Sequence, residues 1–165
     1  MLKSQKETKS VPTKKIPYLC GSMSGLKGYG RRWRARETEW FIKHGMGVYN
    51  PCVEEEVFTK FVGYFTKQTD PIKWEELDEK VQVHIIRKDL DQIKEKTSFL
   101  LVYFTQYSTG TVTEMSAACY WNIPVYVVSK RCIKGWPGTA ARYGRSRQFG
   151  IFRELHRYLL KEGII

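Results

Sequence analysis

Phe99-Leu100-Leu101-Val102-Tyr103-Phe104, followed by Ser108-Thr109-Gly110-Thr111-Val112-Thr113-Glu114 and then by Ala117-Ala118, is the stretch that decides the fold. A continuous apolar run, a turn containing glycine and an Ala-rich segment read in that order as a buried strand, a tight turn and a helix start. Runs of the same kind occur at Ile16–Cys20, at Val48–Pro51 and at Pro124–Val128. Helical periods separate them. Strands that are continuously apolar rather than alternating are covered on both faces, as in a parallel sheet between helical layers. The expected fold is α/β, a three-layer Rossmann-like or flavodoxin-like sandwich with a parallel sheet of four or five strands.

Between the strands, residues 33–44 carry Trp33, Glu37, Trp40, Phe41 and His44 at helical spacings, with Gly45 as the stop. Residues 54–66 and 72–96 read as largely helical, broken near Asp70-Pro71, with Trp74, Leu77, Val81, Ile85 and Ile86 on one side of the second stretch. Residues 112–121 and 151–161 read as further helices, and Arg131 to Gly150 as a stretch rich in glycine and arginine. The 165 residues are one domain's worth of chain, with residues 1–15 expected as a disordered basic tail and 16–165 as a single domain.

A hydrophobic content of 42% fits a globular chain. No apolar run approaches the ~20 residues that span a bilayer, and the lysine-rich start has no apolar core of a signal peptide, so a soluble cytoplasmic protein without a membrane partner is expected. Cys20, Cys52, Cys119 and Cys132 form no C-x-x-C pair and read as buried free thiols in a reducing compartment. His44, His84 and His156 lack the spacing of metal ligands and read as surface or packing residues. Five lysines against Glu7 give the first fifteen residues +4 of the total charge of +11. The remaining excess gathers in Lys130, Arg131, Lys134, Arg142, Arg145, Arg147, Arg153 and Arg157. That patch suits a phosphorylated small molecule, a nucleic acid backbone or simply a solvated face.

Gly21, Gly25, Gly28 and Gly30 follow the first strand, but their spacing gives no G-x-G-x-x-G and no G-K-[ST] is present. Dinucleotide-dependent hydride transfer and P-loop hydrolysis are therefore unsupported. Ser22 and Ser24 still offer hydroxyls in a loop a ligand can approach closely. Glu114 has two readings. Thr111-Val112-Thr113-Glu114 fits a capping box, while a carboxylate in the first turn of a helix at the strands' carboxyl ends, kept ionised by the helix dipole, is also a nucleophile at a ligand crevice.

The ordered set Tyr18-Leu19-Cys20-Gly21-Ser22, Asn50-Pro51, Asp89-Leu90, Ser108-Thr109-Gly110-Thr111-x-x-Glu114 and Asn122-Ile123-Pro124-Val125 resembles the nucleoside 2-deoxyribosyltransferase superfamily, including its relatives that hydrolyse nucleoside 5′-monophosphates. The resemblance covers residues 16–129. It implies that Glu114 is the nucleophile at the anomeric carbon, that Asp89 handles the leaving base or a sugar hydroxyl, and that Tyr18 orients the nucleophile. It further implies that Ser22 and Ser108, with Gly21 and Gly110, contact substrate or its phosphate. Nucleoside-level transferases of the superfamily usually carry an acidic residue where Ser108 stands, which turns the expectation toward phosphorylated substrates. Residues 52–85 are longer than the family pattern, and the C-terminal region has no clear match to it.

The chemistry agrees with the residues. Breaking an N-glycosidic bond develops oxocarbenium character that a carboxylate stabilises or captures, while a second group assists the leaving base. No cofactor or metal is required. A homo-oligomer is implied, with Phe58 to Phe65 and Arg142 to Arg147 as contact surfaces. The competing readings are a basic nucleic-acid-binding protein and a catalytically silent nucleotide-binding relative in which Glu114 only caps its helix.

Overall fold

In the computed structural model, residues 16–23, 30–54 and 77–165 are described. Strands β1 (Ile16–Gly21), β2 (Thr97–Tyr103), β3 (Val125–Val128) and β4 (Arg147–Phe149) pair in parallel in the order β1-β2-β3-β4. Helices α1 (Arg31–Lys43), α2 (Glu79–Lys96), α3 (Thr109–Tyr120), α4 (Gly135–Ala140) and α5 (Phe152–Lys161) cover the sheet. The expected tail at residues 1–15, the glycine loop around Gly25 and Gly28, and most of the segment after Glu54, including Phe58 to Phe65 and Trp74, lie outside the described residues.

Successive side chains of a strand point to opposite faces, and each apolar run divides accordingly. Tyr18, Cys20, Leu100, Val102, Val125 and Val127 pack against Ile93 of α2, Met115 and Ala118 of α3, and Ala140 of α4. Leu19, Phe99, Leu101, Tyr126 and Val128 pack on the other side against Trp33 and Phe41 of α1 and Leu155 and Leu159 of α5. Two cores, one per face, are why the strand sequences are apolar at every position. The three-layer parallel sandwich expected from sequence is therefore the observed one.

Three local readings change. Val48–Pro51 is not a strand: Tyr49 makes a single parallel bridge to Tyr18, with Leu19 N–H donating to the Tyr49 carbonyl at 2.9 Å and Tyr49 N–H to the Pro17 carbonyl at 2.8 Å. Asn50-Pro51 begins a helical turn instead. The Asn50 side chain accepts from Cys52 N–H at 3.2 Å, and proline is preorganised for the first helical position. The stretch from 131 to 150 holds α4 and β4, which sequence reading missed because β4 is a three-residue edge strand with an exposed arginine. On α2 the buried residues are Ile85, Asp89, Gln92 and Ile93, while Ile86 is exposed.

Counted as a rudimentary strand, the Tyr49 bridge gives a chain order of 2-1-3-4-5 across the sheet, the flavodoxin-like arrangement. The direction of winding reverses between β1 and β2. Ligands of open α/β sheets bind at the carboxyl ends of the strands beside such a reversal.

Among the described residues no helix is long and apolar enough to cross a membrane. Cys20 and Cys52 are buried as expected, whereas Cys119 is half-buried and Cys132 exposed. Near the C-terminal edge, a Cβ on Gly138 would stand 2.0 Å from the Ile133 carbonyl oxygen, a backbone atom that cannot swing aside. Gly138→Ala is expected to destabilise the fold by about 1–3 kcal/mol, the usual cost of overpacking; chemical denaturation of the two proteins in parallel measures it.

Candidate active site

Tyr18 and Cys20 lie one pleat apart on the same face of β1, and both reach Glu114 on α3. The Tyr18 hydroxyl donates to Glu114 Oε1 at 2.7 Å and the Cys20 thiol to Oε2 at 2.8 Å. Each carboxylate oxygen thus has its own donor, which fixes the plane of the group. The capping-box reading fails on geometry. Helix α3 starts at Thr109 with Ser108 as an extended N-cap, the Ser108 carbonyl accepting from Val112 N–H at 3.0 Å. Glu114 consequently falls in the second turn, facing the sheet rather than the helix end, and the buried Thr111 hydroxyl has no hydrogen-bond partner.

Asp89 stands on the buried stripe of α2, where its Oδ1 accepts from the Tyr49 hydroxyl at 3.2 Å. The Tyr18 and Tyr49 rings stack with centroids 5.1 Å apart and planes at 17°. Tyr18 also interacts with Asp89, and its one hydroxyl proton cannot serve both carboxylates at full strength. Two carboxyl groups on two helices are therefore connected through a pair of stacked phenols.

Burial dominates the electrostatics. It raises Glu114 from the ordinary 4.5 to about 7; the charge of Asp89 adds to the rise, while hydrogen bonds from Cys20 and Tyr18 and the Arg34 cation oppose it. Burial likewise raises Asp89 from 3.8 to about 6, against the bond from Tyr49 and the charge of Lys88. The expectation of a carboxylate kept ionised by the helix dipole is corrected: Glu114 lies beyond the first turn, where the dipole's influence fades, and desolvation wins. Burial and the facing Glu114 push both Tyr18 and Cys20 well above their ordinary values, so phenol and thiol remain protonated donors. Nucleophilic cysteine chemistry, which needs a thiolate, is disfavoured at this site.

Gly21 ends β1 where a side chain would be tightly crowded, since a Cβ would lie 3.0 Å from the Tyr103 carbonyl oxygen and 3.1 Å from the Trp33 ring. Ser22 is buried, its hydroxyl donating to the Gln106 carbonyl at 3.4 Å. Ser108 makes no side-chain cap, and the space above Gly110 is open. The structure joins Tyr18, Asp89 and Glu114 in one cluster, with Gly21 and Ser22 following directly on β1 and Ser108 and Gly110 at the start of the helix that carries Glu114. Among the late basic residues, Arg142 Nη1 donates to the Ile133 carbonyl at 3.2 Å and Arg147 Nε to the Tyr158 hydroxyl at 3.1 Å, which turns both to structural use.

Two participants escaped sequence reading. Cys20 was read only as a buried thiol, and nothing local marks its partner on α3. Arg34 is 1% exposed and donates from Nη2 to the Gly21 carbonyl at 2.6 Å and from Nε to the Leu19 carbonyl at 3.4 Å. Its signal was present, because Trp33, Arg34, Glu37 and Phe41 share the buried face of α1. Among the described residues no group of three or more His, Cys, Asp or Glu side chains could hold a metal ion. No protein-family model and no curated protein matches the chain.

A carboxyl group whose pKa rises on folding binds a proton in the folded chain at pH values where the unfolded chain has released it. Stability then falls as pH climbs from the unfolded to the folded pKa. For Glu114 this window runs from 4.5 to about 7, a penalty on the order of 3 kcal/mol above it. Glu114→Gln is expected to melt at a higher temperature than the wild type at pH 8 and at nearly the same temperature at pH 4.5, as thermal denaturation across pH will show.

Proposed function

We propose that this chain is an N-glycosidic enzyme of the nucleoside 2-deoxyribosyltransferase type, acting on a nucleoside 5′-monophosphate in preference to the free nucleoside. The observation that carries the reading is Glu114 held at both oxygens by Tyr18 and Cys20, half-buried beside the sheet's reversal point, with Asp89 behind the tyrosine pair. A carboxylate fixed in one orientation is prepared to meet positive charge developing at an anomeric carbon. Its raised pKa makes it a stronger nucleophile once ionised.

In the reaction, a Glu114 carboxylate oxygen forms a bond to C1′ as the C1′–N bond breaks. The bonding pair leaves with the base nitrogen, which takes a proton from Asp89 in its acid form or from water. Water or the nitrogen of a second base then attacks C1′, loses its proton, and releases the carboxylate. Hydrolysis and transfer differ only in this acceptor. Asp89, with its pKa near 6, retains a fraction of acid form around neutrality.

Preference for a phosphate rests on the start of α3. The Ser108 hydroxyl makes no cap bond, Gly110 faces open space, and the first N–H groups of a twelve-residue helix attract an anion. Ser22 can join by exchanging its long contact to Gln106.

The test is incubation with deoxy- and ribonucleosides and their 5′-monophosphates, with and without acceptor bases, followed by chromatography. Base release or exchange is expected from the wild type, with a bell-shaped kcat/KM profile whose optimum lies between about 6 and about 7, because Glu114 must be ionised while Asp89 is in its acid form. Release from folded Glu114→Ala or Glu114→Gln at the wild-type rate would refute the nucleophile. Cys20→Ala should move that optimum upward, because the thiol bond favours the ionised form of Glu114. Ser108→Ala should lower kcat/KM for monophosphates by about tenfold while sparing nucleosides, as expected for one hydrogen bond to a charged group.

A homo-oligomer belongs to the same proposal. Restored activity on mixing inactive Glu114→Gln and Arg145→Ala subunits is the expected outcome if a site is completed across an interface, and light scattering over a dilution series gives the assembly size.

A further inference from the structure

A cavity of about 580 Å3 lies between the loops that leave the carboxyl ends of β2 and β3. Phe104 and Tyr107 line it from one side, and Ser129, Lys130, Arg131 and Lys134 from the other. None of Tyr18, Cys20, Asp89 or Glu114 touches it. Tyr107 faces the cavity, while the neighbouring Gln106 carbonyl receives the Ser22 hydroxyl, so the loop after β2 runs between the cavity and the end of β1.

The lining has one sign of charge. Three cations occur within five residues, no carboxylate lines the space, and no ion pair among the described residues engages any of the three. Cations converging on a concave wall focus a positive potential that favours an anion. Their backbone is fixed. Ser129 N–H donates to the Phe149 carbonyl at 2.9 Å, Gln148 Nε2 to the Arg131 carbonyl at 2.7 Å, and Arg131 N–H to the Ser129 hydroxyl at 3.4 Å. A ligand therefore meets a loop already in place, which lowers the ordering cost of binding.

The aromatic side of the cavity narrows the ligand class. Tyr107 is 69% exposed at the rim, an uncovered ring beside cations, and such a ring stacks on a planar heterocycle. The volume lies within the ~300–1,000 Å3 of small-molecule sites. A polynucleotide would need the basic track to continue, but Arg142 and Arg147 are turned to the Ile133 carbonyl and the Tyr158 hydroxyl. We infer that this cavity is a second binding site, for a small phosphate-bearing molecule with a planar ring, a nucleotide in its simplest form, separate from the site around Glu114. The inference does not depend on the N-glycosidic reading.

Equilibrium dialysis with radiolabelled adenosine 5′-monophosphate tests it, using the full chain carrying Glu114→Gln so that no ligand is consumed. Replacing Lys130, Arg131 and Lys134 together with alanine should reduce the bound ligand by one equivalent per chain. Replacing the exposed Lys94, Lys96 and Lys161, which removes the same charge elsewhere, should leave it unchanged. Because the readout is the loss of one equivalent, it is independent of whether the Glu114 site binds the same nucleotide. Tyr107→Ala should weaken that equivalent by about tenfold and leave inorganic phosphate binding within about twofold. Equal stoichiometry and affinity in the Lys130/Arg131/Lys134 variant, equal losses in both triple variants, or no binding at all would overturn the proposal; an unchanged affinity in Tyr107→Ala would overturn its planar-ring part.

Discussion

The hydrogen bonds that Tyr18 and Cys20 send across to Glu114 tie the first strand of the sheet to the helix that follows the second. They can form only because β1 and β2 are adjacent and parallel, Tyr18 opposite Leu100 and Cys20 opposite Val102, and because alternate residues of a strand share a face. A carboxyl group placed there is costly, since burial lifts its pKa to about 7. Two donors offset part of that cost and fix the group's orientation. The fixed orientation of this carboxyl group and its cost to stability thus have the same origin, its burial against the strand that supplies its donors.

The opposite face of β1 carries the complementary support. Arg34 holds the Leu19 and Gly21 carbonyls, so the backbone from which Tyr18 and Cys20 project is pinned from below. Its guanidinium lies 4.6 Å from the Trp33 ring centroid. One turn along α1, buried Glu37 bonds to His156 Nε2 at 2.6 Å, and His156 stacks on Trp40 with ring centroids 3.8 Å apart. These contacts join α1 to α5 through polar groups that are hydrogen-bonded rather than stranded, which is the condition for burying them at all.

Loops at the carboxyl ends of the strands inherit their positions from this frame. The Phe104 N–H donates to the Val128 carbonyl at 3.0 Å, so the loop after β2 leaves the sheet against the end of β3. From there it passes Ser22 on one side and the basic cavity on the other before Ser108 opens α3. Five residues between a strand and a helix thereby run between the basic cavity and the end of β1.

Local signals in the sequence determined the architecture. Apolar runs marked β1, β2 and β3, and glycine and the 3.6-residue period marked α1, α3 and α5, because these features act over a few residues and need no partner to be read. They failed where a local signal was short or ambiguous: Asn50-Pro51 suits a strand stop and a helix start alike, and the three-residue β4 has no apolar run. Glu114, Asp89 and Tyr18 were legible as an ordered motif. Their environment was not. Cys20 and Glu114 are 94 positions apart, and Tyr49 and Asp89 are 40 apart. Only the packing of α2 and α3 on one face of the sheet decided that both carboxyls are desolvated, that a thiol holds one of them, and that Glu114 faces β1 instead of capping its helix, since burial and pairing are properties of neighbours in space, which the order of residues along a chain does not specify.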